Sequence, residues 1–178
     1  MWKKFNPFQY TFLKNRKIKY KPQNVTLKNQ LFVIRQIEFS DMKALLDVER
    51  LTYAGETPWT KSAFLAEIYS RYPHLYLAVI HEGEMIGFMG VRVFRGDAHI
   101  TNIALIPAWQ NFGLGAILMA EAEKFAYKNR CQTMSLEVRI GNKDAQRFYR
   151  RLDFVSRKVI KNYYTEENED AIDMVKYL

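Results

Sequence analysis

Two glycines stand two positions apart in the hexapeptide Gln110-Asn111-Phe112-Gly113-Leu114-Gly115. The β-branched segment before it ends at Pro107, which has no N–H for a strand ladder, and apolar residues at helical spacing follow it. The pattern predicts a strand, a tight turn and a helix over residues 113–128. Such a turn either packs two elements closely or binds an anion such as a pyrophosphate through the unpaired N–H groups of the helix start. A third glycine and a Gly-Lys-Ser/Thr sequence are absent, which excludes a Rossmann fingerprint and a Walker loop.

Strand and helix patterns continue on both sides of the hexapeptide. Strands are predicted at residues 31–37, 75–81, 85–94, 98–106, 134–140, 154–160 and 171–177. Further helices are predicted after the N-cap candidates Ser40, Thr60 and Asn142. The order β-α-α-β-β-β-α-β-α-β-β, with short turns between the middle strands, predicts a mixed α/β (α+β) fold. Its central sheet is expected to be mixed and mostly antiparallel, with helices on both faces.

The net charge of +8 lies wholly in the first thirty residues. Residues 1–30 hold eight of the 27 lysines and arginines and no acid, and the 19 basic residues that remain equal the 19 acidic ones. We interpret residues 1–30 as a basic N-terminal extension and residues 31–178 as one domain. The extension is either a solubilising, partly packed segment or an arm that contacts RNA, the ribosome or another anionic surface.

The composition also excludes several classes of protein. No apolar run reaches the roughly 18 to 20 residues of a membrane helix, and the extension lacks the apolar core of a secretory signal. The single cysteine, Cys131, permits no internal disulfide. These observations predict a cytoplasmic protein that has no membrane partner.

The hexapeptide resembles the Gln/Arg-x-x-Gly-x-Gly/Ala motif of the GNAT acyltransferases. Residues 31–178 are also similar, in order and spacing, to the RimI group of that family, which acetylates the N-terminal amine of a ribosomal protein. The stretches that carry this similarity are Pro58-Trp59-Thr60, Asn102-Ile103-Ala104-Leu105, Leu136-Glu137-Val138-Arg139, Asn142, Phe148-Tyr149, Asn162-Tyr163-Tyr164 and Glu169-Asp170-Ala171.

The resemblance implies the GNAT fold and acetyl-CoA as cosubstrate, without a metal. The residues that it assigns to acetyl-CoA are Ile103, Ala104 and Leu105 along the pantetheine, Asn111, Phe112, Gly113, Leu114, Gly115 and Ala116 at the pyrophosphate, and Asn142 near the reacting end. Asn142 is by position also a helix cap, and the two roles are compatible. Many relatives carry arginines in the phosphate turn, and this chain has none there. Backbone N–H groups are therefore expected to hold the pyrophosphate.

Acetyl transfer to an amine needs a base for the ammonium proton and a donor for the departing thiolate. By position alone Glu137 is either an exposed strand glutamate or a partly buried one whose pKa burial raises. The resemblance assigns it the base. Tyr149 is either a packed core tyrosine or, as the resemblance implies, the acid that protonates the CoA sulfur. Both side chains are expected to face one cleft.

Three further aromatic residues either line an acceptor groove or only pack: Trp59, Tyr163 and Tyr164. Surface or turn roles are predicted for the three histidines, which share no metal-ligand spacing: His74, His81 and His99. Cys131 has no neighbouring histidine that would activate it, so direct transfer without an acyl-enzyme is expected.

The sequence therefore predicts transfer of acetyl from acetyl-CoA to the N-terminal α-amine of a protein, with a ribosomal protein as the expected acceptor. An α-amine has a pKa of about 8 and keeps a usable neutral fraction at pH 7, whereas a lysine amine, at about 10.4, demands more of the base. Two alternatives stay open. One is a GNAT enzyme that acts on lysine or a small amine, and the other is a non-catalytic module that holds RNA or the ribosome through residues 1–30.

Overall fold

The computed structural model describes residues 20–53, 55, 58–165 and 168–178. The strands are β1 (Gln23–Leu27), β2 (Gln30–Gln36), β3 (His74–His81), β4 (Glu84–Phe94), β5 (Asp97–Leu105), β6 (Thr133–Arg139), β7 (Val155–Tyr164) and β8 (Glu169–Tyr177). They form one sheet in the spatial order β1-β2-β3-β4-β5-β6-β8-β7. Every neighbouring pair is antiparallel except β5 and β6, which are parallel. The predicted mixed, mostly antiparallel sheet is confirmed.

Four α-helices accompany the sheet in the described part of the chain: α1 (Met42–Thr52), α2 (Lys61–Ile68), α3 (Leu114–Lys128) and α4 (Lys143–Arg150). Two predicted N-caps are confirmed, since Thr60 accepts a hydrogen bond from Ala63 N and Asn142 accepts one from Ala145 N. The third, Ser40, is wrong. A short 3-10 turn, Phe39–Asp41, precedes α1 and has its own capping box, so α1 itself begins at Met42. None of the described helices is long and apolar enough to cross a membrane.

Helices cover both faces of the sheet, and the alternation along each strand divides the core into two clusters. On β3, Leu77 and Val79 point to the cluster that α3 and α4 cover, whereas Tyr76 and Ala78 point to the cluster of α1 and α2. Successive side chains of a strand face opposite sides, so a strand covered on both faces is apolar along its length. This explains why β3 is buried almost throughout.

Strand β1 lies in the segment that the sequence assigned to the basic extension. It pairs along its whole length with β2, so the sheet begins at residue 23 and not at residue 31. Tyr20 precedes it and donates from its hydroxyl to Oε2 of Glu121 on α3, at 3.1 Å. An edge strand with polar side chains has no buried pattern, which is why the sequence did not indicate it. Residues 1–19, which carry most of the predicted contact with RNA or the ribosome, lie outside the described residues.

Strands β5 and β6 pair over only three residues, from Asp97 opposite Thr133 to His99 opposite Ser135. Beyond His99 the pairing between the two strands stops, although each continues to pair with its other neighbour. A gap therefore opens between their carboxyl ends. Because β5 leads through the predicted phosphate turn into α3, the turn lies at the same end of the sheet as this gap.

Candidate active site

The turn between β5 and α3 has the backbone that an open helix start requires. Gly113 occupies the N-cap position with φ of +97°, a conformation that suits glycine. No side chain caps the helix, so the first N–H groups, of Leu114, Gly115 and Ala116, are directed at the space before it. Gly115 is explained by close packing instead, because a Cβ at this position would lie 3.3 Å from Cζ of Phe148. The two alternatives for this turn therefore divide between its glycines: one opens the helix start and the other permits close packing.

The end of β5 presents an open backbone edge to the gap. Ile103, Ala104 and Leu105 pair with β4 on one side and, among the described residues, with no strand on the other. Such an edge can accept an extended amide chain as an added strand. The Gln110 side chain donates to the carbonyl of Leu105 at 2.9 Å and so fixes the turn against the strand end.

Glu137 points from β6 to the same side of the sheet as His99 of β5. The Nε2 atom of His99 lies 3.2 Å from Oε2 of Glu137, and both side chains are about three-quarters buried or more, with exposed fractions of 25% and 20%. The hydroxyl of Tyr163 donates to the same carboxylate oxygen at 3.3 Å. His99 was predicted to have a surface or turn role, and that prediction is wrong, because the parallel pairing of β5 with β6 places it beside Glu137.

The protons of this cluster follow from its partners. The Ser135 hydroxyl donates to Oδ2 of Asp97 at 2.5 Å, so its oxygen can only accept from His99 Nδ1, 2.9 Å away. His99 Nδ1 therefore carries a hydrogen. The Nε2 atom then either presents a lone pair to Glu137 or holds a second proton, and only the second arrangement is attractive towards an ionised carboxylate. The Nε2 atom is thus the ring nitrogen that faces Glu137, since Nδ1 is bonded to Ser135.

The pKa of Glu137 differs from the expectation. Burial favours the neutral acid, but the hydrogen bonds from His99 and Tyr163, together with the charge of Arg157, outweigh it and hold the pKa of this carboxyl below its usual value. Burial acts in the expected direction, but the expected net rise of the pKa is wrong. The sequence places Glu137 in a strand but does not indicate which donors face it.

Tyr149 of α4 is buried between Phe148 and Phe154, with ring centroids at 5.2 and 6.0 Å. Burial, together with neighbouring tyrosine hydroxyls, raises the pKa of its phenol above the usual value. Tyr149 is accordingly protonated at neutral pH. A phenol of this kind is a weaker acid than a thiol, whose pKa is about 8.5, so it is better suited to donate a hydrogen bond than to release its proton completely.

The end of β7 lies close to both predicted reacting groups. Tyr163 bonds Glu137, and the next residue, Tyr164, is near enough to Tyr149 to contribute to the rise of its pKa. The Arg139 guanidinium lies over the Tyr164 ring, 4.1 Å from its centre. Tyr163 is 46% exposed and can contact an acceptor, whereas Tyr164 is half-buried under Arg139.

Glu49 of α1 is a buried carboxylate that sequence reasoning missed. It is fully buried, and its two oxygens accept from Asn102 Nδ2 at 2.9 Å and from the backbone N–H of Trp59 at 3.1 Å. Burial raises the pKa of Glu49 against the effect of these two bonds. The Trp59 ring packs on Phe64, with centroids at 5.3 Å. Glu49 follows Leu45 by four residues, on the apolar face of α1, and that spacing was the available signal.

Asn142 and Cys131 are two further residues that the sequence analysis considered. Asn142 caps α4, which confirms the cap and leaves its amide N–H₂ free of that bond. Cys131 is 7% exposed, and burial, with the nearby charge of Asp97, raises the pKa of its thiol, so it is a poor nucleophile. Within the described part of the chain, no cluster of three or more His, Cys, Asp or Glu side chains could hold a metal ion.

An open strand edge, an uncapped helix start and a carboxylate beside an imidazole lie around the gap in the sheet, an arrangement that is compatible with acyl transfer. A sequence model of the Acetyltransferase (GNAT) family matches residues 40–154. The chain belongs to this family and is an acetyltransferase, and the predicted GNAT fold is confirmed.

One relative and two solved structures show which members of the family this chain is similar to. The [ribosomal protein bS18]-alanine N-acetyltransferase of Escherichia coli (strain K12) is 32% identical over 143 residues, which cover 79% of this chain and 94% of the relative. The crystal structure of the ribosomal-protein-S18-alanine N-acetyltransferase from Escherichia coli superposes with a TM-score of 0.72 at 30% identity, covering 82% of this chain and 93% of that one. A more distant structure, PaiA N-acetyltransferase from Thermoplasma acidophilum in complex with coenzyme A, shares the fold with a TM-score of 0.69 at 24% identity, covering 83% and 99%.

Proposed function

We propose that this enzyme transfers acetyl from acetyl-CoA to the N-terminal α-amine of a protein, and that the acceptor is a ribosomal protein. The observation that carries the proposal is the Glu137–His99 pair, which lies on β5 and β6 where their pairing ends. The similarity to bS18-alanine N-acetyltransferases over about four-fifths of the chain supports the choice of acceptor.

The residues present fit a pantetheine diphosphate. Ile103, Ala104 and Leu105 offer the open backbone edge that an extended amide arm can pair with. The diphosphate is assigned to the N–H groups of the turn and first helical residues, which are Asn111, Phe112, Gly113, Leu114, Gly115 and Ala116. Asn142 is assigned to the reacting end through its free amide N–H₂.

The base is the carboxylate of Glu137, which His99 contacts. Acetyl-CoA, when bound, supplies the activated acetyl thioester that the amine attacks. An α-amine is about half or more protonated at pH 7 to 8, and an ammonium loses two protons when it becomes an amide. The departing CoA thiolate takes up one of them at its sulfur, so the chain must accept the other. The Glu137 carboxylate takes this proton, directly or through a water, and the bond from His99 orients the carboxylate and keeps it ionised until the proton arrives.

Tyr149 stabilises the leaving sulfur. Its phenol keeps its proton because burial disfavours the phenolate, so an O–H donor is available when the C–S bond breaks. Tyr163, exposed and bonded to Glu137, contacts the acceptor backbone. Trp59 and Tyr164 form the remainder of the acceptor groove, and Glu49 holds the segment that contains Trp59.

The test is an acetylation assay with paired peptides. Each peptide begins with alanine and contains one lysine, and its matched control has the same sequence with a formylated N-terminus. The purified full chain is incubated with acetyl-CoA, and tandem mass spectrometry locates the acetyl group. We expect acetyl on the α-nitrogen of the free peptide and none on the control. Acetyl on lysine alone, or turnover only of small amines, would contradict the proposed acceptor, and no turnover at all would contradict the activity.

A further inference from the structure

The turn that is assigned to the diphosphate carries no charge of its own. Between Asp97 and Glu121 the chain has no lysine, arginine, aspartate or glutamate. Backbone N–H groups and the helix dipole are therefore the only positive features that this segment offers. A diphosphate brings two negative charges, and basic side chains are its usual additional partners.

A basic side chain reaches the turn from another part of the fold. Lys28, in the loop between β1 and β2, places its Nζ atom 4.5 Å from the centre of the Phe112 ring, in the middle of the turn. The side chain of Leu27, the residue before Lys28, packs against the core cluster that α3 and α4 cover. It would lie 3.8 Å from a Cβ built at Gly113. The hairpin is thus held against the turn by an apolar contact, and the ammonium group remains exposed beside it.

The local backbone does not explain why a lysine stands here. Lys28 and Asn29 form a two-residue hairpin loop with φ of +47° and +62°. Loops with two positive φ values favour asparagine, aspartate and glycine, and a long L side chain is less stable in them. Lys28 also forms no ion pair with another residue that the structure describes. Its charge is free to meet an anion.

We propose that Lys28 is a cofactor-binding residue whose ammonium contacts the diphosphate of CoA from the β1–β2 hairpin. The inference rests on the proposed function, since it needs CoA at this turn. The hairpin precedes the part of the chain that matches the family, residues 40–154. The edge strand β1 thereby has a function, because it carries a cation to a turn that has none.

The test compares the full-length wild type with three variants by calorimetric titration of CoA. Lys28→Asn removes the charge and the contact with the Phe112 ring but favours the positive φ, so the backbone of the hairpin loop is not weakened. Lys28→Arg keeps the charge. Lys128→Gln removes an exposed lysine at the far end of α3, a helix of 15 residues, and is the matched control.

We expect Lys28→Asn to raise the Kd for CoA about three- to tenfold in low salt, and less in high salt. Lys28→Arg should stay within about twofold of wild type, and Lys128→Gln should equal it. The same loss should occur with 3′-dephospho-CoA, because the diphosphate is retained. Equal affinities of Lys28→Asn and wild type would overturn the proposal, as would a loss seen with CoA but not with 3′-dephospho-CoA. If the wild type itself does not bind CoA, the proposed function fails instead.

Discussion

His99 and Glu137 come from strands whose pairing ends at His99, and yet their side chains meet at 3.2 Å between Nε2 and Oε2. The other ring nitrogen of His99 is committed to Ser135, which in turn is committed to Asp97. The imidazole is therefore fixed on one side by Ser135 and faces Glu137 with the other. The contact with His99 is one of the causes that hold the pKa of Glu137 below its usual value, so His99 should affect the pH dependence of catalysis through Glu137.

Replacing Glu137 with glutamine should remove the proton acceptor but keep the shape of the side chain. We expect kcat to fall about 10²- to 10⁴-fold, the usual range for general acid–base catalysis, with the Kd for CoA unchanged. Steady-state kinetics and calorimetry measure the two quantities. The control is Glu84→Gln, at an exposed position where β4 begins, which should behave as wild type. A Glu137→Gln enzyme with wild-type kcat would exclude this carboxylate as the base.

Removing the imidazole should shift the pH profile in a defined direction. His99 lowers the pKa of Glu137, whereas burial raises it, so in His99→Ala the effect of burial is opposed less. The pKa of Glu137 then rises, so a higher pH is needed before the carboxyl is ionised and can act as the base. The α-amine ionises at about pH 8 and sets the upper part of the acid limb of kcat/KM against pH, so Glu137 is seen as a second break in that limb at lower pH. We expect this break to move up by about one to two pH units, which corresponds to a charge-assisted hydrogen bond.

The matched control for this shift is His74→Ala. His74 lies two strands away on β3 and bonds the carbonyl of Tyr72, so its loss should leave the acid limb unchanged. A break that moves to lower pH in His99→Ala, or does not move, would show that His99 does not control Glu137.

Local signals were readable in the sequence, and long-range pairings were not. Thr60 and Asn142 were predicted as caps because the bond that each accepts comes from three residues ahead. His99 and Glu137 are 38 positions apart, and only the short parallel register of β5 with β6 joins them. Strand β1 was missed for a related reason, since its pairing with β2 makes it a strand. The place of Glu137 in a strand was foreseen, but the sign of its pKa shift depends on donors from two other strands.

Glu49 should matter for stability more than an ordinary helix carboxylate. Both of its oxygens accept hydrogen bonds, from Asn102 and Trp59, and glutamine has only one oxygen, so Glu49→Gln turns an N–H₂ group against a donor. We expect the free energy of unfolding to fall by about 1 to 3 kcal/mol in urea titrations. Glu123→Gln, which breaks a part-exposed ion pair with Lys176, should cost less than about 1 kcal/mol.

The difference in the free energy of unfolding between wild type and Glu49→Gln should depend on pH with a predictable sign. The pKa of Glu49 is raised in the folded state. The stabilisation that follows from the raised pKa is complete below the unfolded value of about 4.3 and is lost as the pH rises through the folded value. Because glutamine does not titrate, the gap between wild type and Glu49→Gln should be larger at pH 5 than at pH 8. A gap that widens towards pH 8 would contradict the raised pKa.

Tyr149→Phe separates the hydroxyl of this residue from its packing. The phenylalanine ring can keep the contacts with Phe148 and Phe154, so the free energy of unfolding should change by less than about 1 kcal/mol. Catalysis should lose one hydrogen bond to the leaving sulfur, and we expect kcat to fall about ten- to a hundredfold. If Tyr149 donates a bond and does not release its proton, the basic limb of the pH profile should be the same in both enzymes. A basic limb that disappears in Tyr149→Phe would instead mean that the phenol ionises during turnover, which its burial argues against.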